Sequence, residues 1–119
     1  MSELLSSITA PGEAPVMVLF GGNPQKRDQV LRLLDTLGGL TAHGALSEEE
    51  GMRLLATLPR VDLVLIGGRY TEEQRVRIRA YVRANLPRAS LTEPGHDYPY
   101  EDGAMLADVR RKLGRAPPA

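Results

Sequence analysis

The sequence lacks cysteine and tryptophan, and Phe20 is the only phenylalanine among its 119 residues. Without cysteine the chain has no disulfides, no thiolate nucleophile and no cysteine-ligated zinc or iron–sulfur site. With so few aromatic side chains, the core must be aliphatic. The same scarcity leaves no aromatic cluster on which nucleic acid bases would stack.

Long apolar runs and net charge are also missing. No run approaches the roughly 18 residues of a membrane span, and residues 1–5 lack the basic start and apolar stretch of a signal peptide. Fifteen basic and 15 acidic residues give a formal net charge of zero, so nothing draws the whole chain to nucleic acid or anionic membrane. We expect a cytoplasmic protein without membrane contact, and do not expect a nucleic acid partner.

The chain length leaves room for one domain. We place this α/β domain at residues 15–113 and expect a flexible tail at 114–119. Residues 1–14 are weakly patterned, and a short helix capped by Ser2 is one option for them. Proline and glycine at 11–15 then break the chain.

Strands and helices alternate along the rest of the sequence. Residues 16–20 and 61–66 are largely apolar runs, typical of parallel strands covered on both faces, and 40–46 and 89–92 are weaker strands. Helices are predicted from the capping residues that follow three of the strands and from a last apolar stripe at 101–113; these caps are Asn23 with Pro24, Ser47 with Glu50, and Thr71 with Gln74.

Such strand–helix units connect by right-handed crossovers into a three-layer open parallel sheet with helices on both faces. With the predicted strands numbered along the chain, we expect four or five strands in the order 2-1-3-4. This is a flavodoxin-like arrangement, in which each strand delivers the chain to a helix at the same edge of the sheet.

The rhythm of elements, with the phrase Val61-Asp62-Leu63-Val64-Leu65-Ile66, resembles the receiver domains of response regulators. That resemblance implies a signalling module that accepts a phosphoryl group on aspartate. The family has an acidic pair after its first strand and the acceptor aspartate at the end of its third, where this chain has Gly21, Gly22 and Gly67. Phosphorylation needs that carboxylate and a cation. The resemblance therefore implies a degenerate pseudo-receiver.

Two further positions bear on the resemblance. Thr92 matches the family's hydroxyl residue after the fourth strand. The lysine that the family has after its fifth strand has no counterpart, and the chain is one strand–helix unit short. We therefore assign no catalytic residue and lean towards a protein that is not an enzyme.

Ligands of open α/β sheets bind at the carboxyl ends of the strands, where the strand order reverses. Here that place lies between the two glycine pairs, with the loop at 92–100 beside them. Paired glycines allow close backbone approach, and helix N-termini offer N–H groups to anions. The candidate ligand-binding residues are Gly21, Gly22, Asn23, Lys26, Gly67, Gly68, Arg69, Tyr70, Thr92 and His96.

The alternative is that each glycine pair makes only a tight turn from strand to helix. Neither segment matches a named nucleotide-binding motif, and we expect no cofactor. His96 beside Asp97 would allow acid–base chemistry, but adjacent side chains in a loop usually diverge, which favours loop-ordering hydrogen bonds. His43 alone cannot hold a metal, and no other histidine or carboxylate cluster has ligand spacing, so we expect no metal site.

Arg75, Arg79 and Arg83 repeat every four residues on one face of the third predicted helix. That helix offers this stripe no acidic partners, whereas Glu73 can pair with Arg77. The stripe would suit an acidic protein partner or nucleic acid phosphates. The alternative is a solvated face paired with acids from elsewhere in the fold.

Three functions stay open from the sequence. The leading hypothesis is a non-catalytic receiver-like module that binds a protein partner, with a second copy of itself as one candidate, and whose crevice is tuned by a small anion. The second is a nucleotide- or phosphate-binding protein, with or without catalysis. The third is nucleic acid binding through the arginine stripe.

Overall fold

The computed structural model describes residues 4–114, so the predicted Ser2 cap and most of the predicted tail lie outside the described residues. Strands and helices alternate through the described chain. In order they are β1 (Ser7–Ile8), β2 (Val16–Phe20), α1 (Pro24–Asp35), β3 (Thr41–Ala45), α2 (Glu48–Thr57), β4 (Leu63–Ile66), α3 (Glu72–Asn85), β5 (Ser90–Thr92) and α4 (Asp102–Lys112).

The strands form one sheet in the order β1-β3-β2-β4-β5. The last four of these are parallel, and their order confirms the predicted 2-1-3-4 arrangement. The fifth strand, β1, pairs antiparallel with β3 at the sheet edge. A short helix is one option that the sequence offers for residues 1–14, and the strand at Ser7–Ile8 corrects it. Ile8 faces the core while Ser7 faces solvent, the alternation that a strand produces.

The helix starts follow the predicted capping chemistry. The Asn23 side chain accepts a hydrogen bond from the backbone N–H of Lys26, and Pro24 occupies the first helical position of α1. Thr71 and Gln74 complete a reciprocal capping box at α3. Because the caps fix where each helix begins, they also fix the turns that leave β2 and β4.

Each face of the sheet packs against a different pair of helices, giving the expected three layers. Alternate strand residues point to opposite faces: Leu19 and its neighbours pack with α1 and α4, while Phe20 and its neighbours pack with α2 and α3. The core is largely aliphatic. Within it the Phe20 and Tyr70 rings meet edge to face, with centroids 5.8 Å apart, and the partly buried rings of Tyr81 and Tyr98 pack against it. None of the described helices is long and apolar enough to cross a membrane.

One glycine sets how closely α2 approaches the sheet. Gly51 is buried in α2, and a Cβ atom there would overlap the Phe20 ring. The only phenylalanine of the sequence therefore packs directly beneath a helical glycine. This pairing lets the ring pack against the α2 backbone, at the end of the strand that leads into the first glycine pair.

Candidate functional site

The two glycine pairs lie side by side at one edge of the sheet. β2 and β4 are parallel neighbours, so the residues that follow them leave the sheet together. The Gly67 N–H donates a 2.9 Å hydrogen bond to the Phe20 carbonyl oxygen. A Cβ atom at Gly67 would lie 2.8 Å from that same oxygen, closer than side chains pack. The close backbone approach at this corner therefore requires glycine.

A cavity of about 350 Å³ opens between the two corners. The structure thus brings together most of the predicted ligand-binding residues. Those lining the cavity are Gly21, Gly22, Asn23, Lys26, Gly67, Gly68 and Arg69. Tyr100 and Arg27 also line it, as do the apolar residues Leu19, Phe20, Val30 and Leu65.

The cations of this cavity form no ion pair with a carboxylate among residues 4–114. Arg27 donates from its Nε atom to the Leu5 carbonyl oxygen at 3.0 Å, and its charge adds to the larger effect of Arg32 in lowering the pKa of Asp28. Lys26, Arg27 and Arg69 all line the cavity, and no carboxylate of the described chain lies within ion-pair distance of them. The lining itself contains no acidic residue, and neither does the first turn of α1. Since the whole chain has zero formal net charge, the positive charge here is local and favours an anion.

Tyr100 forms a wall of the cavity that the sequence analysis did not single out as a ligand contact. The Lys26 ammonium lies 4.6 Å from the centre of its ring, a cation–π contact. The ring also packs against the backbone of Gly68 and Gly95. The sequence predicted only that the loop at 92–100 lies beside the two glycine pairs. It did not indicate that Tyr100 is the residue of this loop that lines the cavity.

Tyr70 stabilises the turn at Gly21 and Gly22, which is the first glycine corner. Its buried hydroxyl donates a 3.0 Å hydrogen bond to the Gly21 carbonyl oxygen. Burial, with the nearby charges of Glu48 and Glu50, raises the pKa of Tyr70 to about 12, so the hydroxyl keeps its proton at neutral pH. Tyr70 does not line the main cavity but a neighbouring hollow, which shares Gly21, Gly22 and Arg69 with it.

Thr92 is fully buried and lies outside the cavity lining. Its hydroxyl donates to Asp108 Oδ2 over 2.6 Å and lies 2.6 Å from the Tyr98 hydroxyl. Burial alone would raise the pKa of Asp108, but hydrogen bonds from Thr92 and Lys112 hold it below its usual value. The predicted ligand residue therefore ties β5 to α4.

His96 likewise does not line the cavity, and it pairs with its neighbour in the chain. Its Nδ1 atom lies 2.8 Å from Asp97 Oδ1 and its Nε2 atom 3.3 Å from Glu72 Oε2. Adjacent side chains were expected to diverge, but the turn at 94–98 brings these two together. The hydrogen bond to Asp97 and the charge of Glu93 raise the pKa of His96, against desolvation and Arg75.

Glu93, His96 and Asp97 form a group of possible metal ligands that sequence spacing did not reveal, with ligand atoms within 4.8 Å of one another. Glu93 is not free for a metal, because Arg75 and Arg79 both donate to its carboxylate. Two guanidinium charges at this place oppose a cation. The group stabilises the loop between β5 and α4.

The structure corrects the expected stripe of Arg75, Arg79 and Arg83, because the Glu93 carboxylate pairs with two of these three arginines. Arg75 is only 3% exposed and bonds Glu93 Oε1 at 2.8 Å. Arg79 bonds Glu93 and Glu72, which leaves Arg83 as the exposed member. Glu93 lies in a loop 14 and 18 residues further along the chain, so spacing within the helix could not show it. Glu72 is the first residue of α3, and its pair with Arg79 corrects the expectation that this helix offers the stripe no acidic partner.

Arg75 also stabilises the turn at Gly67 and Gly68, which is the second glycine corner. Its guanidinium donates to the Gly67 carbonyl oxygen at 2.9 Å and to the Tyr70 carbonyl oxygen at 3.3 Å. It therefore connects the turn after β4 to the loop after β5. A further difference lies on the same helix, where Arg77 pairs with Glu48 of α2 and not with Glu73 as expected.

Two solved structures share this arrangement of strands and helices. A response regulator from Thermotoga maritima matches with a TM-score of 0.68 and 18% identity, covering 85% of this chain and 98% of its own. The fold is that of a receiver domain. A response regulator receiver protein from Burkholderia phymatum matches with a TM-score of 0.63 and 18% identity, covering 88% of this chain and 99% of its own.

At this level of identity the likeness concerns the receiver fold alone. No family model matches the chain, and neither does any curated protein. Within residues 4–114, this receiver fold has four parallel strands and an antiparallel edge strand. After β5 the chain passes through a loop into α4, which packs beside α1.

Proposed function

We propose that this chain is a non-catalytic, receiver-like signalling module that is not phosphorylated on aspartate and acts by binding a protein partner. The observation that carries the proposal is Gly67 at the carboxyl end of β4, where the receiver resemblance expects the acceptor aspartate. A Cβ atom there would come within 2.8 Å of the Phe20 carbonyl oxygen. Gly21 and Gly22 likewise offer no carboxylates for a magnesium ion.

The first experiment tests for aspartyl phosphorylation. The protein is incubated with magnesium and acetyl phosphate and weighed by intact-mass spectrometry, beside an authentic receiver domain as positive control. We expect no phosphoryl adduct on this chain under conditions that modify the control. A stoichiometric adduct, released by hydroxylamine as an acyl phosphate, would contradict the proposal.

We further propose that the crevice binds a small anion without covalent chemistry. Support comes from Lys26, Arg27 and Arg69, which line one cavity and lack carboxylate partners among residues 4–114. Charge-assisted hydrogen bonds from arginine and lysine are the usual way to hold phosphate. In this arrangement a bound anion takes the place that a phosphoryl group holds in a reactive receiver.

Anion binding is tested by thermal unfolding in increasing inorganic phosphate, with chloride at matched ionic strength. A ligand at 100 times its dissociation constant adds about 2.7 kcal/mol to the free energy of unfolding. We expect Arg69→Ala to reduce the stabilisation and Arg83→Ala, which removes the same charge elsewhere, to leave it unchanged. Equal responses in both variants would argue against a site in the crevice.

The protein partner remains part of the proposal, with a second copy of this chain as the candidate that is tested first. Light scattering after size-exclusion chromatography, with and without phosphate, measures self-association directly. Nucleic acid binding loses its main support, because Arg75 is buried and Arg79 is paired. A cytoplasmic location is kept as a proposal on the basis of the cysteine-free sequence.

A further inference from the structure

The cavity between the glycine corners has two kinds of wall. Lys26, Arg27 and Arg69 supply positive charge, whereas the apolar side is lined by the strand residues Leu19 and Leu65 and by the partly exposed ring of Tyr100. Inorganic phosphate would satisfy the charged wall and leave the exposed Tyr100 ring in contact with water. A ligand that satisfies both walls must carry an anionic group and an apolar body.

The size of the cavity points the same way. Its volume of about 350 Å³ lies at the lower end of the roughly 300–1,000 Å³ typical of small-molecule sites. That is more room than one phosphate group fills, and too little to bury a dinucleotide. Leu19 and Leu65 are almost wholly buried in the core, so this wall is built on rigid strands.

Tyr100 closes the cavity on the side of the loop between β5 and α4. It is one of the few large apolar side chains of the described residues that remain exposed, at 38%. Gly68 and Gly95 pack against one edge of its ring, and a Cβ atom at Gly95 would lie 3.3 Å from it. The ring is therefore held in position at the cavity rim, where the body of a ligand would cover it.

We propose that the ligand of this crevice is an organic phosphomonoester of mononucleotide size or smaller. Its phosphate lies among Lys26, Arg27 and Arg69, and its apolar body covers the exposed ring of Tyr100. This inference rests on the proposed anion site and adds the chemical class of the ligand. Burial of the apolar body supplies affinity that inorganic phosphate lacks.

The test compares three probes by isothermal titration calorimetry on the full chain: phenyl phosphate, inorganic phosphate and phenol. We expect phenyl phosphate to bind at least tenfold more tightly than inorganic phosphate, a difference of 1.4 kcal/mol. Phenol, which lacks the anionic group, should show no measurable binding. Equal affinity for phenyl phosphate and inorganic phosphate overturns the inference but leaves the anion site standing. Failure of both to bind overturns the inference and the anion site together.

Three variants localise the binding. Tyr100→Ala should bring the affinity for phenyl phosphate to within about threefold of that for inorganic phosphate, because it removes the apolar surface that covers the ligand body. It also removes the cation–π contact with Lys26, which affects both phosphates, so the two affinities are compared on the same variant. Arg69→Ala should weaken both phosphates, and Arg83→Ala should weaken neither. Unchanged binding of phenyl phosphate to both Tyr100→Ala and Arg69→Ala would place it elsewhere on the protein and overturn the inference. Circular dichroism of each variant verifies that the fold is retained.

Discussion

The guanidinium of Arg75 lies 2.8 Å from the carboxylate of Glu93, and the two residues are only 3% and 4% exposed. Arg79 donates to the same carboxylate, so the buried negative charge is compensated twice. Through its other nitrogens, Arg75 binds the carbonyl oxygens of Gly67 and Tyr70. The pair therefore joins α3, the second glycine corner and the loop before α4.

Replacing Glu93 tests the importance of this pair for stability. Glu93→Gln keeps the shape of the side chain and leaves the buried Arg75 without its counter-charge. Breaking a buried pair in this way costs about 3–5 kcal/mol. Urea denaturation should show that loss, whereas Glu49→Gln, which breaks the exposed pair with Arg53, should change stability by no more than about 1 kcal/mol. Similar losses in the two variants would contradict a special role for the buried pair.

Replacing either of two helical glycines by alanine should change the stability of the protein, in opposite directions at the two positions. Gly51→Ala places a methyl group on the Phe20 ring, and overpacking of this kind costs about 1–3 kcal/mol. Gly103→Ala, in the first turn of α4, meets no atom within 4 Å and should stabilise the protein by up to about 1 kcal/mol. Melting temperatures of the two variants test the prediction, and stabilisation by Gly51→Ala would show that α2 does not pack this closely on β2.

The Tyr70 hydroxyl should contribute to stability through the first corner. Tyr70→Phe removes the hydrogen bond to the Gly21 carbonyl oxygen and leaves that buried acceptor unpaired, at a cost of about 1–3 kcal/mol. Tyr81→Phe is the matched control, since the Tyr81 ring packs on the same core. Chemical denaturation of both variants should separate them, and a neutral Tyr70→Phe would mean that water replaces the hydroxyl.

Stability should depend on pH near neutrality through His96. Its pKa is raised in the folded protein, chiefly by the hydrogen bond to Asp97 and also by the charge of Glu93, against opposing effects of desolvation and Arg75. A folded state that holds the proton more tightly is favoured most below the unfolded pKa of about 6.5. This contribution is lost as the pH rises through the raised pKa.

The measurement is the melting temperature between about pH 5 and pH 8, the range in which histidine titrates. Wild-type protein should lose stability across this range relative to His96→Gln. Asp97→Asn removes the main partner of the imidazole, and it should therefore also reduce the loss of stability between about pH 5 and pH 8. An identical pH profile for wild-type protein and His96→Gln would show that the His96 proton is not coupled to folding.

Much of the architecture follows from local patterns in the sequence. The apolar runs at 16–20 and 61–66 and the caps at Asn23 and Thr71 predicted the central strands and the starts of the helices. These signals are readable because they depend on near neighbours in the chain. The strand order followed from the general geometry of crossovers, whereas β1 was missed because a strand of two residues has almost no pattern of its own.

The site was predictable only in part, for the same reason. Parallel neighbours end at the same edge, so the meeting of the two glycine pairs could be expected, along with Lys26 and Arg69 beside them. The sequence also predicted Thr92 and His96 at this site. In the structure they bond to Asp108 and Asp97, respectively, and do not line the cavity. A loop reveals from its sequence that it turns, and not which of its side chains faces which neighbour.

The sequence by itself determined a cysteine-free α/β domain with an aliphatic core and a glycine pair after each of the two central strands. Composition and short-range spacing decide those features. Tertiary structure alone decided that Arg75 is buried on Glu93, that Tyr100 closes the cavity, and that three cations there lack carboxylate partners in the described chain. Each of these depends on which distant segments meet, because charge pairing and burial belong to the packed chain and not to any one stretch of it.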